Sequence, residues 1–226
     1  MAFSGFADEK AKFFHALAKN QSREWFQAHK VEFEEGYQAP LKELLSEVRD
    51  GIDPAYKHSE LDEPRTFRIN RDVRFSKDKS PYKTHAGGII PTKRQGKITE
   101  VPMALYFHVG LPASFGAAGH YMMDPRSLSG FRAAVHDEKR GRELVKLLTA
   151  LQKKGFRVDS HDTYKRVPKG FDPEHPRAEH LKRKGLTVAF PDLPKGILKS
   201  PKLVPWVVTQ AKAAAPLVEW LIFATI

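Results

Sequence analysis

The sequence predicts a single α+β domain over residues 1–226, with a mostly antiparallel sheet packed by several helices. Strand-like segments follow one another between residues 65 and 123 without a helical pattern between them, which favours an antiparallel sheet. Segments with apolar residues at helical spacing come before and after this region. No repeat or low-complexity linker divides the 226 residues, so one domain is expected.

The first fifty residues predict helices. Asp8 can begin a helix that ends near Asn20, and Ser22 is the candidate N-cap of the next. The pattern is expected to break over residues 36–40, and a further helix should run from there to Gly51. An aromatic stripe at helical spacing is interpreted as core, because amphipathic helices bury such faces; it consists of Trp25, Phe26, His29, Phe33 and Tyr37.

The middle of the chain predicts strands. Alternation of apolar and polar residues is clearest over residues 103–109, and weaker strand patterns cover residues 65–75, 87–91 and 114–123. Residues 92–100 are expected to form a charged loop.

The last hundred residues predict mainly helices. Asp124 followed by Pro125 is a typical helix start, and a second helix should end at Gly155. Residues 156–173 are expected to be irregular. A short helix over residues 176–184, a strand over 186–190 and a C-terminal helix from residue 200, kinked at Pro216, complete the prediction.

Positive charge is concentrated in two segments. The chain has a net charge of +11, and residues 65–85 contribute 7 − 2 = +5 while residues 164–184 contribute 7 − 3 = +4. Two local basic segments of this kind favour an acidic partner.

Residues 65–75 contain charged side chains from which we mainly infer the function. Alternation leaves one face of this predicted strand polar, with Arg68, Asn70, Asp72 and Arg74. Arg71 falls on the inner face, where it needs either a buried carboxylate or a bulge that turns it outward. Arg68 and Arg74 would lie about 20 Å apart along such a strand, so they fit an extended anionic surface, or one ligand group plus one structural pair.

We interpret these segments first as a pocket for a small molecule that carries phosphate or carboxylate. The candidate ligand-binding residues are Arg68, Arg71, Arg74, Lys79, Tyr82, Lys83, Lys182 and Lys184. Asp78 or His85 would be the acid or base if the protein is an enzyme. This interpretation requires the two basic segments to meet in the fold.

Two other functions remain open. The basic surface of residues 65–85 and 164–184 could bind nucleic acid, with Phe75 and Tyr82 as stacking partners. The apolar C-terminus could instead be a protein-interaction surface.

Several classes of function are disfavoured. The absence of cysteine excludes disulfides, iron–sulfur clusters and thiol catalysis. No phosphate-binding glycine loop, dinucleotide fingerprint or His-x-x-x-His pair occurs, so no metal site is predicted, and neither a cofactor nor an oligomeric state is assigned. No signal peptide is visible, and the apolar tail over residues 213–226 is by itself too short to span a bilayer, so we expect a cytoplasmic protein without a membrane partner.

The chain resembles the domain of unknown function 2461 family. The resemblance is carried by residues 67–85 and extends to residues 20–30, 115–119, 170–176 and 181–184; it is weaker over residues 220–226. It implies an intracellular one-domain α+β protein and carries no established activity. The matching motif positions are Arg68, Arg71, Asp72, Arg74, Asp78, Lys79, Tyr82, Lys83, Lys182 and Lys184.

Overall fold

A six-stranded antiparallel sheet forms the centre of the molecule in a computed structural model, which describes residues 2–8, 10–74, 77–93 and 101–225. The strand order is β1-β2-β3-β4-β6-β5, and every neighbouring pair is antiparallel. The strands are β1 Arg65–Thr66, β2 His85–Pro91, β3 Met103–Gly110, β4 Phe115–His120, β5 Arg157–Asp159 and β6 Leu186–Ala189. This sheet and the helices around it confirm the predicted α+β class.

The helices flank the strands in sequence, as predicted. They are α1 Lys12–Lys19, α2 Arg23–Ala28, α3 Lys30–Phe33, α4 Ala39–Ile52, α5 Pro125–His136, α6 Glu138–Lys153, α7 Ala178–Leu181 and α8 Leu203–Ala224. The predicted caps are confirmed at Ser22, whose hydroxyl accepts a hydrogen bond from Trp25 N, and at Asp124, whose carboxylate accepts from the backbone N–H groups of Arg126 and Ser127. The Asp8 carboxylate likewise accepts from Phe13 N in the first turn of α1.

Helices α4 and α8 pack against each other and against the sheet. Leu45 of α4 lies against Gly88 of β2, so the helix layer covers the sheet face that carries Gly88 and, one pleat further, Ile90. Most of the buried apolar residues of helices and strands form one contiguous cluster. The aromatic stripe of the N-terminal helices belongs to this core, as predicted: Phe26, Phe33 and Tyr37 are buried, and Trp25 packs against the cluster.

Two predicted boundaries are wrong. The chain does not break over residues 36–40, because a π-helix, Glu34–Gln38, leads directly into α4. Pro40 is tolerated because its missing N–H falls in the first turn of α4. Residues 156–173 are not wholly irregular, since Arg157–Asp159 forms the edge strand β5 beside β6. A three-residue edge strand has too few residues for a visible alternation.

The predicted strand over residues 65–75 is also largely wrong. Arg65 and Thr66 pair with Ile89 and Gly88 of β2, and Phe67 N donates one further hydrogen bond to Gly87 O, after which the described part of the segment leaves the sheet. The alternation of exposure nevertheless continues to Arg74 in the described part, with Arg68, Asn70, Asp72 and Arg74 exposed. Phe75, and residues 94–100 of the predicted loop, lie outside the described residues.

Helix α8, Leu203–Ala224, begins well before residue 213, where the apolar tail considered in the sequence analysis starts. Its 22 residues are long and apolar enough to cross a membrane by length and composition. Half of its most apolar window is buried inside the molecule, however, where Val207, Leu217 and Leu221 pack in the core. A buried core helix can have the same length and the same apolar composition as a membrane-spanning helix.

A candidate anion site at one end of the sheet

Residues 67–74 and 77–84 lie against each other at the end of the sheet where β2 begins. Asn70 and Tyr82 form an isolated antiparallel bridge. Arg71 N donates to Pro81 O at 2.8 Å, and Lys83 N donates to Ile69 O at 2.8 Å. The backbone hydrogen bonds that a longer β1 would have made to β2 are therefore made within this segment. The irregular hairpin brings Arg68, Arg71 and Lys83 together, and we call these three residues the basic cluster.

Tyr82 anchors the hairpin to the helices. Its ring is buried and stacks on Phe26 of α2 with a centroid separation of 4.5 Å. Its backbone N–H donates to the Gln21 side chain at 3.0 Å. Tyr82, a predicted ligand-binding residue, thus has its ring in the core.

Arg71 pairs with a carboxylate, although not with the buried carboxylate that its inner position was predicted to need. Its Nη2 lies 3.0 Å from Asp78 Oδ2 and also donates to Tyr82 O at 3.3 Å. Asp78 is more than half exposed, so the pair lies at the surface rather than in the core. The buried Nε of Arg71 has no hydrogen-bond partner among the described residues.

Asp78 is held as a charged structural group. Its Oδ1 accepts from Ser80 N at 2.9 Å, and this hydrogen bond, together with the charge of Arg71, lowers the pKa of the Asp78 carboxyl. A carboxylate with a lowered pKa is a weak proton acceptor at neutral pH.

Arg74 and Lys79 lie on the outside of the hairpin. The Arg74 guanidinium makes two hydrogen bonds to Asp72, at 3.0 and 2.7 Å, and this pairing lowers the pKa of Asp72 to about 2. Lys79 Nζ donates to Val73 O at 2.8 Å. Arg74 is paired within its own arm, whereas Lys79 bonds across to the other arm, and both exposed side chains lie at the rim of the basic cluster.

Lys83 and Arg68 are the cations that remain available. Lys83 Nζ donates to Arg68 O at 2.9 Å and lies 5.7 Å from the centroid of the Phe67 ring. Burial, followed by the charges of Arg68 and Arg71, lowers the pKa of Lys83. The exposed guanidinium of Arg68 makes no ion pair or hydrogen bond with any residue of the described ranges.

His85 lies beside the basic cluster and is neutral at pH 7. Burial, the neighbouring His108, and the charges of Lys83 and Arg71 lower the pKa of His85 to about 3. Its ring stacks on His108 with a centroid separation of 4.0 Å. At neutral pH His85 therefore has no proton to give as an imidazolium, and it can serve as a neutral hydrogen-bonding group.

An aromatic cluster that the sequence did not predict lies next to the basic cluster on the sheet. It lies on the sheet face that α4 leaves free, because Tyr106 and His108 alternate with Phe107, which pairs with Gly88. The only signal in the sequence was this alternation, which places Tyr106 and His108 on one face. We define the aromatic cluster as Phe67, His85, Tyr106, His108 and Phe115.

Lys182 and Lys184 do not join the basic cluster. Strands β3 and β4 separate β2 from β6, which corresponds to about 14 Å at about 4.8 Å per strand. His85 pairs with Gly110 at one end of the sheet, whereas Leu186 pairs with His120 at the other. The two basic segments consequently lie at opposite corners, on the order of 25 Å apart. The prediction that they meet is wrong, because strand order is not visible in local patterns.

The lysines of the second basic segment form ion pairs with nearby carboxylates. Lys182 forms an ion pair with Glu179, and Lys184 forms one with Asp162 while lying 4.5 Å from the centroid of the Tyr164 ring. Asp162 raises the pKa of Lys184 through this hydrogen bond.

The chain matches a family profile over nearly its whole length. The profile describes a conserved hypothetical protein and covers residues 9–220, which include both basic segments and the aromatic cluster. No protein of curated function matches the chain. Because the match spans far more than half of the sequence, the chain belongs to the DUF2461 family of conserved hypothetical proteins.

Proposed function

We propose that the basic cluster by itself, without the second basic segment that the sequence-based interpretation required, binds a small molecule that carries a phosphate or carboxylate group. The observation that carries this proposal is the excess of positive charge in one small region. Arg68, Arg71 and Lys83 lie close enough for the two guanidinium groups to lower the pKa of Lys83. Among the described residues, Asp78 is the carboxylate that pairs with this set, and it pairs with Arg71. A bound anion would relieve the remaining repulsion.

Each residue has a separate role in the proposed site. Arg68 and Lys83 hold the anion directly, and Asp78 fixes the guanidinium of Arg71 behind them. His85, neutral at pH 7, offers a hydrogen bond. Arg74 and Lys79 contribute to the attractive field from the rim, because both are exposed.

Thermal melting tests this proposal. Phosphate, sulfate and acetate are added one at a time at fixed ionic strength. An anion at 100 times its Kd should stabilise the protein by about 2.7 kcal/mol, which raises the melting temperature by several degrees. The rise should be lost in Arg68→Ala, because the unpaired guanidinium is gone.

Arg166→Ala is the matched control for this experiment. Arg166 is an exposed arginine in the second basic segment, so its removal changes net charge equally at a distant corner. The anion shift should persist in this variant. An equal loss in both variants, or no shift with any anion, would contradict a site at the basic cluster.

Nucleic-acid binding is the alternative function. Its support is the local charge of the two basic segments, which together carry +9 of the net +11. They lie at opposite corners of the sheet, and the ring of Tyr82, one proposed stacking partner, is buried. If this function is correct, a mixed oligonucleotide should bind at low salt, lose affinity steeply as salt rises, and bind more weakly to Arg68→Ala and Arg166→Ala alike.

A cytoplasmic location remains our prediction for the place where the protein acts. The buried side of α8 is consistent with a core helix. Fractionation of cells that express the chain tests this prediction.

A further inference from the structure

The aromatic cluster shares a border with the basic cluster. Lys83 Nζ lies over the ring of Phe67 at 5.7 Å, and the ring of Phe67 lies 6.4 Å from that of Tyr106. His85 is close enough to Lys83 and Arg71 for their charges to lower its pKa, while its ring stacks on His108. Any anion held by the basic cluster therefore lies beside ring faces.

Three rings of the aromatic cluster form a row across three neighbouring strands. The centroid of His108 on β3 is 4.0 Å from that of His85 on β2 and 4.9 Å from that of Phe115 on β4, and both pairs are stacked. Tyr106 packs beside the row, with its centroid 5.7 Å from that of Phe115. Because these rings stack face to face across the strands, the row presents mainly ring edges, and it is built on strands rather than on a loop.

Hydrogen bonds fix the orientation of this surface. His108 Nε2 lies 3.1 Å from Leu111 O, which can only accept, so Nε2 carries the proton of the neutral ring. His108 Nδ1 then accepts from the Tyr106 hydroxyl at 3.2 Å. The hydroxyl oxygen of Tyr106 keeps lone pairs for a donor on a ligand.

Gly87 lets Tyr106 and Phe67 pack close to the backbone of β2. A Cβ at Gly87 would lie 3.2 Å from the Tyr106 hydroxyl oxygen and 3.6 Å from Cδ2 of Phe67. Phe67, Tyr106, Phe115 and His85 are all partly exposed, whereas His108 beneath them is buried.

We propose that the ligand of this site is an aromatic anion, in which a planar ring lies against the aromatic cluster while its phosphate or carboxylate group is held by the basic cluster. This inference rests on the proposed function and adds the class of ligand. Offset or edge-on ring contacts favour an aromatic ligand over an apolar one of the same size. The Tyr106 hydroxyl favours a ring that carries a hydrogen-bond donor.

Calorimetric titration with matched pairs of compounds tests the inference. Phenyl phosphate is compared with inorganic phosphate, and benzoate with acetate. The aromatic member of each pair should bind at least about threefold more tightly, because ring contacts of this kind strengthen binding by about that factor or more. Cyclohexyl phosphate should gain less than phenyl phosphate, and an equal gain would overturn the requirement for a planar ring.

Substitutions in the aromatic cluster test whether its rings cause the preference for an aromatic ligand. Phe67→Leu and Phe115→Leu should each reduce the ratio of the affinities for phenyl phosphate and phosphate, measured within the same variant, since leucine keeps apolar bulk but removes the ring. Phe223→Leu is the matched control, because Phe223 is an exposed phenylalanine on α8 whose ring lies near His58. A preference that survives in both cluster variants would overturn the inference.

The two proposals fail in different ways. If phosphate binds and depends on Arg68 but phenyl phosphate binds no better, the ligand class is wrong and the anion site stands. If neither compound binds, both proposals are wrong.

Discussion

His85 is a neutral histidine among cations, and its environment makes stability depend on pH. The folded protein protonates His85 only near pH 3, whereas an unfolded chain does so near pH 6.5. Between these values the unfolded chain binds more protons. Stability is therefore retained above about pH 6.5 and is lost progressively as the pH falls towards 3.

Replacement of His85 by Gln should reduce the loss of stability in acid. At pH 5 the unfavourable protonation of His85 is worth at most about 2 kcal/mol, from 1.36 kcal/mol per pH unit below 6.5. The difference in melting temperature between pH 7 and pH 5 should thus be several degrees smaller in His85→Gln than in the unsubstituted protein.

His15→Gln serves as the comparison for this measurement. His15 is an exposed histidine of α1, and its replacement should leave the pH dependence unchanged. If both variants show the same difference between pH 7 and pH 5 as the unsubstituted protein, the environment assigned to His85 is wrong.

At the junction between α5 and α6, a residue distant in sequence, Arg177, donates hydrogen bonds to the end of α5. Arg177 is buried, and its Nε donates to Val135 O at 2.7 Å while Nη2 donates to His136 O at 3.2 Å. Nη2 also lies 3.0 Å from Glu138 Oε2. The guanidinium thus satisfies carbonyl groups that the end of α5 would otherwise leave unpaired, and its charge suits a helix C-terminus.

Arg177→Met should destabilise the protein by about 3 kcal/mol, because buried carbonyl groups would lose charged hydrogen-bond donors. Urea denaturation at neutral pH measures the loss as a lower midpoint with an unchanged slope. The loss should be much larger than that of an exposed ion pair.

Arg142→Met supplies this comparison within the same network. Arg142 also pairs with Glu138, at 2.6 Å, but its side chain is 66% exposed. Its replacement should change the free energy of unfolding by less than about 1 kcal/mol. Equal effects of the two substitutions would mean that the bonds of Arg177 to the end of α5 contribute little.

At the scale of the whole molecule, the fold depends on how closely the helix layer approaches the sheet. Gly88 of β2 permits this approach, because a Cβ there would lie 2.5 Å from Leu45 Cδ1 and 3.0 Å from Arg65 O. Helix α4 therefore rests directly on the strand backbone beside β1. The same contact leaves the other face of β2 for the aromatic cluster.

Gly88→Ala should destabilise the protein by about 1–3 kcal/mol through overpacking. In a Leu45→Ala background the same substitution should cost clearly less, because the clashing methyl group is absent. Chemical denaturation of the four proteins of this double-mutant cycle measures the coupling.

Gly36→Ala is the control for a generic effect of replacing glycine. A Cβ at Gly36 meets nothing within 4 Å, so this variant should be neutral or slightly stabilised. Additive costs of Gly88→Ala and Leu45→Ala would contradict direct packing of α4 on β2.

The sequence by itself determined what local physics controls. Periodicity predicted the antiparallel sheet and the helices around it, and the side-chain chemistry of Ser22 and Asp124 predicted two helix caps. Alternation also placed Arg71 on the inner side of its segment, where it needed a carboxylate and found Asp78. These features depend on residues a few positions apart, so they can be read from the chain.

Tertiary structure alone decided which distant residues meet. The strand that residues 65–75 predicted is short because the segment bonds to residues 81–83 instead of to β2. The order of β2, β3, β4 and β6 then places the two basic segments at opposite corners and gathers the aromatic cluster beside one of them. Strand order and backbone pairing depend on contacts far apart in sequence, and no local pattern encodes them.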